Sequence, residues 1–275
     1  MAASVVKRSV YINDKVFLVT GGAAGVGAAV VRALLAENAR HVAFIDVAER
    51  EGAALETELL SKFGPLRAKF IKCDVSDEDQ LATAYFQVVD KYRRLDGVIN
   101  NAAVLSDSRH YKRMIDINFT ATVSSTLKAL EKMGADKGGN GGVIVNISSL
   151  LALDLSSHLP VYSATKTAVL QFSIAMGSEE YFAKTQVRVA TVCLGPTDTA
   201  ILNRTNLENF DKDSTAHLTS RVPVRQRVEA AANGVIEVIK SAKSGATWIV
   251  ANDQPAYDCS GNIAEAYQVL SKTQV

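Results

Sequence analysis

Short runs of β-branched and apolar residues alternate along this chain with longer segments of helical period, and no other feature restricts the fold as much. The runs lie at 15–20 (KVFLVT), 41–46 (HVAFID), 67–73, 96–100 (DGVIN), 142–148 (GVIVNIS), 187–193 (VRVATVC) and 246–250. Between them, 25–38, 48–63, 77–93, 111–132, 160–184 and 225–241 carry apolar residues at helical spacing, as Val30, Leu34 and Leu35 do. Strands apolar on both faces and joined by a dozen or more helical residues require a parallel sheet covered on both sides by helices. The expected fold class is therefore α/β, a Rossmann-type doubly wound sheet of about seven parallel strands, in one domain over 1–275. Three stretches stand outside the alternation, the first being Gly138-Gly139-Asn140-Gly141-Gly142, a flexible connector before the fifth strand. Segment 195–225 follows the sixth strand and is placed to cover a substrate, because ligands of open α/β sheets sit beyond the carboxyl ends of the strands. The stretch 253–275 is a C-terminal tail with no assigned role.

Composition narrows the function. Apolar residues make up 48% of the 275 and charged ones 21%, enough to bury a core without metals or disulfides. Thirty basic residues against 29 acidic ones leave a net charge of +1, which argues against nucleic acid as a partner. Cys73, Cys193 and Cys259 are odd in number and have no metal-ligand spacing, so they read as reduced thiols of a cytoplasmic protein without a metal. No apolar run is long enough to span a membrane, and none follows Lys7 and Arg8 as a secretory signal requires, so the protein is expected to be soluble.

Directly after the first strand stands Thr20-Gly21-Gly22-Ala23-Ala24-Gly25-Val26-Gly27, with a helical pattern beginning inside it. Gly21 suits a tight turn, Gly25 lets backbone approach a pyrophosphate, and Gly27 lets helix and sheet pack closely. With Ala24 and Val26, these residues make a cradle for the phosphates of a dinucleotide at a helix N-terminus. Asp46 ends the second strand 21 residues after Gly25, where a carboxylate accepts hydrogen bonds from an adenosine ribose and repels a 2′-phosphate. NAD is the expected cofactor and NADP the less favoured one, with Val47 beside Asp46 completing that end of the site. Arg50 is the residue that could reverse the choice.

Ser149 follows the fifth strand, and Tyr162 and Lys166 fall near the start of a helix. Since 166 − 162 = 4, phenol and ammonium share one helical face a turn apart. A tyrosine is too weak an acid to act as a base near neutrality, but an adjacent cation favours its phenolate. Tyr162 is thus expected to exchange the proton of an alcohol while hydride moves to or from a nicotinamide, with the Ser149 hydroxyl on the substrate oxygen.

From Lys15 to Asn252 the sequence resembles the short-chain dehydrogenases/reductases. Thr20 to Gly27 resembles the family's TGxxxGxG, Asp74-Val75 the pair that contacts adenine, and Asn100-Asn101-Ala102-Ala103 its NNAG with the glycine replaced. The resemblance selects Ser149 over Ser148, since the family places its serine 13 residues before the tyrosine and 162 − 149 = 13. It also implies that Asn118 completes a proton relay to Lys166, and that Gly195, Pro196, Thr197 and Thr199 grip the nicotinamide carboxamide in a loop like PGxxxT, where Leu194 replaces the usual proline. Pairing through the helices that bear Asn118 and Tyr162, as a homodimer or homotetramer, is implied too. Within the family the chain is most similar to the branch of insect alcohol dehydrogenases and 15-hydroxyprostaglandin dehydrogenase, which is largely NAD-dependent. Leu159 stands where the prostaglandin enzyme carries Gln, which argues against prostaglandin itself.

Leu150, Leu151, Leu153, Leu155 and Leu159 between Ser149 and Tyr162, with Ala200-Ile201-Leu202 after the loop, suggest an apolar pocket wall. Leu151, Leu155, His158 and Leu202 are the candidate substrate contacts. Such a wall suits a fatty, isoprenoid or steroid-like secondary alcohol or its ketone, because unpaired hydroxyls are costly to bury there. The competing readings are a non-catalytic dinucleotide-binding protein, an epimerase or dehydratase on the same scaffold, and an NADP-preferring carbonyl reductase.

Overall fold

The computed structural model describes residues 11–106, 110–154, 158–203 and 225–272, and in it the seven expected strands form in the expected places. They are β1 (Val16–Thr20), β2 (His41–Asp46), β3 (Ala68–Lys72), β4 (Gly97–Asn100), β5 (Gly142–Ser149), β6 (Val187–Leu194) and β7 (Thr247–Val250). All seven run parallel in one sheet. An eighth strand, β8 (Tyr257–Asp258), pairs antiparallel with β7, giving the order β3-β2-β1-β4-β5-β6-β7-β8. Its two residues are too few for periodicity to reveal. The winding reverses between β1 and β4, which opens a crevice at their carboxyl ends.

Helices α1 (Gly25–Ala36), α2 (Glu49–Phe63) and α8 (Val228–Ser241) cover one face of the sheet. There Val30, Leu34, Leu59, Val235 and Ile239 pack with Phe17, Val19 and Phe44, all fully buried. The other face meets α3 (Glu78–Tyr92) and α5 (Ala121–Met133), through Leu81, Tyr85, Ala129 and Met133. It also meets α6 (Pro160–Met176), which buries Val169 and Leu170. Each such side chain removed from water contributes roughly 1.5 to 3 kcal/mol; the three cysteines are free and buried.

Two of the expected helical segments are broken. The stretch 111–132 is α4 (Tyr111–Ile115), a π-helical turn over Asp116–Thr120, and α5. Such a turn inserts one residue into a helix, and here it contains Asn118, which is fully buried. The stretch 160–184 splits into α6 and α7 (Glu179–Thr185), because Gly177 lies so close to the backbone of Gly245 that any Cβ would collide with it. In the tail, β8 leads to α9 (Ser260–Ser271), which buries none of its residues fully and joins α6 through a hydrogen bond from the Tyr267 hydroxyl to Gln171. Among the described residues no helix is long and apolar enough to cross a membrane.

Candidate active site

The turn after β1 has the geometry that its glycines suggest. Gly21 and Gly25 adopt left-handed backbone with φ of 62° and 52°, which side chains rarely tolerate. A Cβ on Gly21 would stand 2.8 Å from Ala102 Cα, so this turn touches the segment after β4. That segment is stitched to it. Asn101 Nδ2 donates to the carbonyls of Thr20 and Gly21 at 3.0 Å each, and the Thr20 hydroxyl accepts the N–H groups of Asn101 and Ala102. Asn101 thus acts as a brace, while Ala102 and Ala103 are half-buried beside it.

At the start of α1, Ala24 provides no side-chain cap and the first turn holds no acidic residue. The N–H groups of that turn, including those of Gly25, Val26 and Gly27, are left for an anion. At the end of β2 the Asp46 carboxylate is oriented by the N–H groups of Ala23 at 3.1 Å and Ala48 at 3.0 Å, and the next residue, Val47, is exposed. No Lys or Arg among the described residues pairs with Asp46, and the exposed Arg50 does not reach it. An uncapped helix start, two left-handed glycines and an oriented, unpaired carboxylate together fit the pyrophosphate and ribose of a dinucleotide. Asp74, beyond β3, accepts from the Ser76 hydroxyl at 2.6 Å and from Arg113 at 2.6 Å. Partial burial works to raise its pKa, but the hydrogen bonds from Ser76 and Arg113 outweigh it and hold the carboxyl below its ordinary value. Val75 is buried beside it.

β5 ends at Ser149, and α6, which packs on β5, carries Tyr162 and Lys166 one helical turn apart. Lys166 is 2% exposed, and its Nζ donates to the Ile147 carbonyl at 3.0 Å and lies 5.8 Å from the centre of the Tyr162 ring. Burial pushes its ammonium down to about 8. The Ser148 hydroxyl donates to the Lys166 carbonyl at 2.8 Å, which fixes α6 on β5 and gives Ser148 a purely structural place. Ser149, half-buried, accepts the Leu151 N–H at 3.2 Å, which leaves its own hydroxyl proton free to donate elsewhere. Asn118 sits behind them. Its side chain pairs with both backbone groups of Val104, accepting the N–H at 2.8 Å and donating to the C=O at 2.9 Å, and it approaches the Thr165 hydroxyl at 3.4 Å.

Clamped by Asn118, the segment after β4 delivers Leu105 to an apolar cluster at Tyr162. Leu105 and Leu159 are almost wholly buried there against Leu151, Tyr162, Ile201 and Leu202. Of the expected wall residues, Leu151 and Leu202 belong to this cluster; Leu153 is exposed instead, and Leu155 lies outside the described residues. Leu150 faces Gly195, and His158 is half-buried one turn before Tyr162. Sequence reasoning missed Leu105, since nothing local marks a lone leucine in a loop.

The loop after β6 crosses above the glycine turn, and a Cβ on Gly25 would meet Thr199 Cγ2 at 3.2 Å. Gly195 lies against Ala251 and donates its N–H to Val250. Thr197 is buried and donates to the Gly195 carbonyl at 2.9 Å. Gln226, another residue that the sequence did not single out, runs alongside Pro196 to Asp198 as a short parallel bridge, and its Nε2 reaches the Thr197 hydroxyl at 3.0 Å. A cavity of about 500 Å³ is lined by Asp198, Arg225, Arg227, Val228 and Glu229; Ser149, Tyr162 and Lys166 do not line it.

A doubly wound sheet with a glycine turn after β1 and a Ser–Tyr–Lys set on β5 and α6 defines a class of oxidoreductases, and residues 15–209 match the family described as short chain dehydrogenase. The chain belongs to the short-chain dehydrogenases/reductases. Over 192 residues it is 37% identical to 15-hydroxyprostaglandin dehydrogenase [NAD(+)] of Macaca fascicularis, covering 70% of this chain and 71% of that protein. Alcohol dehydrogenase 2 of Ceratitis cosyra is 28% identical over 242 residues, covering 86% of this chain and 92% of that one. Among solved structures, levodione reductase superposes with a TM-score of 0.74 at 22% identity, over 87% of this chain and 96% of that chain, a likeness of fold.

Proposed function

We propose that this chain is an NAD-dependent alcohol dehydrogenase acting on an apolar secondary alcohol and its ketone, as one catalytic unit; of the segment 195–225 expected to cover the substrate, residues 204–224 lie outside the described residues. The observation that carries the reading is the fully buried Lys166 ammonium one helical turn from Tyr162, beside a dinucleotide-type glycine turn. When bound, the nicotinamide ring accepts the hydride of the alcohol or returns it to the ketone.

The chain's own groups handle the proton and the orientation. The Tyr162 oxygen takes the alcohol proton, and the positive charge of Lys166 favours the phenolate that does so. Of the three N–H bonds of Lys166, one is committed to the Ile147 carbonyl, which leaves two for a coenzyme ribose or a proton relay. The Ser149 hydroxyl donates to the substrate oxygen. Asn118 holds the Val104 backbone and through it the wall residue Leu105, and it stands as the member of the proton relay to Lys166 that the family resemblance implies. An oriented Asp46 without a basic neighbour supports NAD over NADP, as does the coenzyme in the relatives' name. The cluster of Leu105, Leu151, Leu159, Ile201 and Leu202 at Tyr162 supports an apolar substrate.

Exposed Leu127 on α5 supports self-association through that helix, and the three buried thiols support a reducing, cytoplasmic setting. The test is Tyr162→Phe in protein shown to be folded and to bind NADH. Absorbance at the reduced-nicotinamide band should show net NADH from NAD⁺ and secondary alcohols with the parent and a loss of at least about a hundredfold in the variant. Equal turnover by both proteins rejects the mechanism, and better kcat/KM with NADP⁺ rejects the coenzyme assignment.

A further inference from the structure

The loop after β6 is held by two adjacent residues, Arg225 and Gln226, that the proposed function leaves unused. Gln226 is 1% exposed. Its Nε2 lies 3.3 Å from the Gly195 carbonyl, 3.0 Å from the Thr197 hydroxyl and 3.0 Å from the Val250 carbonyl, tying the loop after β6 to the end of β7. Its backbone extends the tie, since its N–H donates to Pro196 at 2.8 Å and its carbonyl accepts from Asp198 at 3.0 Å. Three acceptors on two segments thus surround one buried amide, which fixes the loop relative to the end of β7.

Arg225 reaches the other way. Its guanidinium meets Asp198 Oδ1 at 3.5 Å and the Leu202 carbonyl at 3.3 Å, spanning the turn that carries Ile201 and Leu202 into the apolar cluster at Tyr162. Each of these contacts is long and partly exposed, so neither contributes much to global stability. Their geometric effect is specific all the same, because they join both ends of one short turn.

We propose that Arg225 and Gln226 are a pair of positioning residues that divide one clasp between two ligands. Gln226 sets the loop 195–199 for the coenzyme, and Arg225 sets the turn 200–202 as the wall for the apolar part of the substrate. The inference rests on the function proposed above. Because the two residues are neighbours with different targets, a general structural role and a divided positioning role give different results.

The experiment measures two quantities in full-length protein: the affinity for NADH by fluorescence titration, and the ratio of kcat/KM for 2-decanol to that for 2-propanol. Gln226→Leu should weaken NADH binding about tenfold, the loss expected for one or two hydrogen bonds, and keep the alcohol ratio within about twofold of the parent. Arg225→Ala should lower the alcohol ratio about tenfold, the effect of misplacing a methylene or two, and keep NADH affinity within about twofold. Arg225→Lys should recover part of the ratio. Should Gln226→Leu fail to fold, Gln226→Asn keeps an amide too short for all three acceptors and carries the same expectation, and Asp198→Ala removes the acceptor of the Arg225 arm from its other side.

Equal shifts of both quantities in both variants, or no shift in either, overturn the proposal. A parent that prefers 2-decanol, with that preference unchanged in Arg225→Ala and Asp198→Ala, overturns it while the apolar-substrate reading stands. A parent without the preference removes that reading and the proposal with it.

Discussion

Replacing Lys166 by Met should cost the enzyme its turnover and leave the fold as stable or more so at neutral pH, with a pH dependence that identifies the cause. Lys166 is fully buried, and burial pushes its ammonium from 10.5 to about 8. Keeping it charged at neutral pH therefore costs roughly 3 kcal/mol relative to water. Met removes that cost but leaves the Ile147 carbonyl without its donor, a loss of about 1 to 3 kcal/mol. The net is a variant as stable as the parent, or more stable by up to about 2 kcal/mol near pH 7.

Between about 8 and 10.5 the unfolded chain holds the Lys166 proton more tightly than the native one, so the parent gains stability as pH rises through this window. The Met variant has no such gain. Urea unfolding at pH 7 and pH 10 should then show the difference moving by about 2 to 3 kcal/mol in the parent's favour, with turnover in the variant down at least about a hundredfold. Parallel stability curves at the two pH values would falsify the assignment of a buried ammonium at this position.

Three further perturbations test the parts around it. His41 is buried against Tyr92 with Nδ1 at the Leu66 carbonyl, and burial lowers its pKa from 6.5 to about 4. Because it stays neutral in the fold while the unfolded chain protonates it, roughly 3 kcal/mol of stability should disappear as pH falls from 6.5 to 4, and His41→Phe should flatten that limb in urea titrations. Gly27→Ala should lower stability by several kcal/mol in thermal unfolding, since a Cβ there would collide with the Gly21 carbonyl and stand 2.6 Å from Asn101 Nδ2. Asp46→Ala should raise the kcat/KM ratio of NADP⁺ to NAD⁺ by about tenfold or more, because the repelling carboxylate is gone; an unchanged ratio shows that discrimination lies elsewhere.

Most of the fold was legible because its governing terms are local and repeat. β1, β2 and β5 announce themselves through Val, Ile and Phe on both faces, and α1 through Val30, Leu34 and Leu35, since burial on two sides leaves no room for polar residues. What escaped depends on contacts distant in sequence. The break between α6 and α7 comes from Gly177 meeting Gly245, 68 residues further on (245 − 177 = 68), and the π turn at Asp116–Thr120 goes with Asn118 reaching back to Val104. Neither leaves a mark on helical periodicity. β8 was hidden by its length of two residues.

The candidate site divides along the same line. Gly21, Gly25, Tyr162 and Lys166 could be read from spacing because one turn or one helical face brings each set together. Leu105, Arg225 and Gln226 could not, because each takes its meaning from a segment that only the folded chain sets beside it. A surface glutamine satisfies its amide with water, whereas Gln226 is 1% exposed and its amide nitrogen lies within hydrogen-bond distance of three acceptors on two segments, so its polar head is held where burial disfavours it. The same logic applies to Lys166, whose burial opposes its charge. In both, a polar group kept where packing disfavours it marks the part of the sheet's carboxyl end where position matters more than stability.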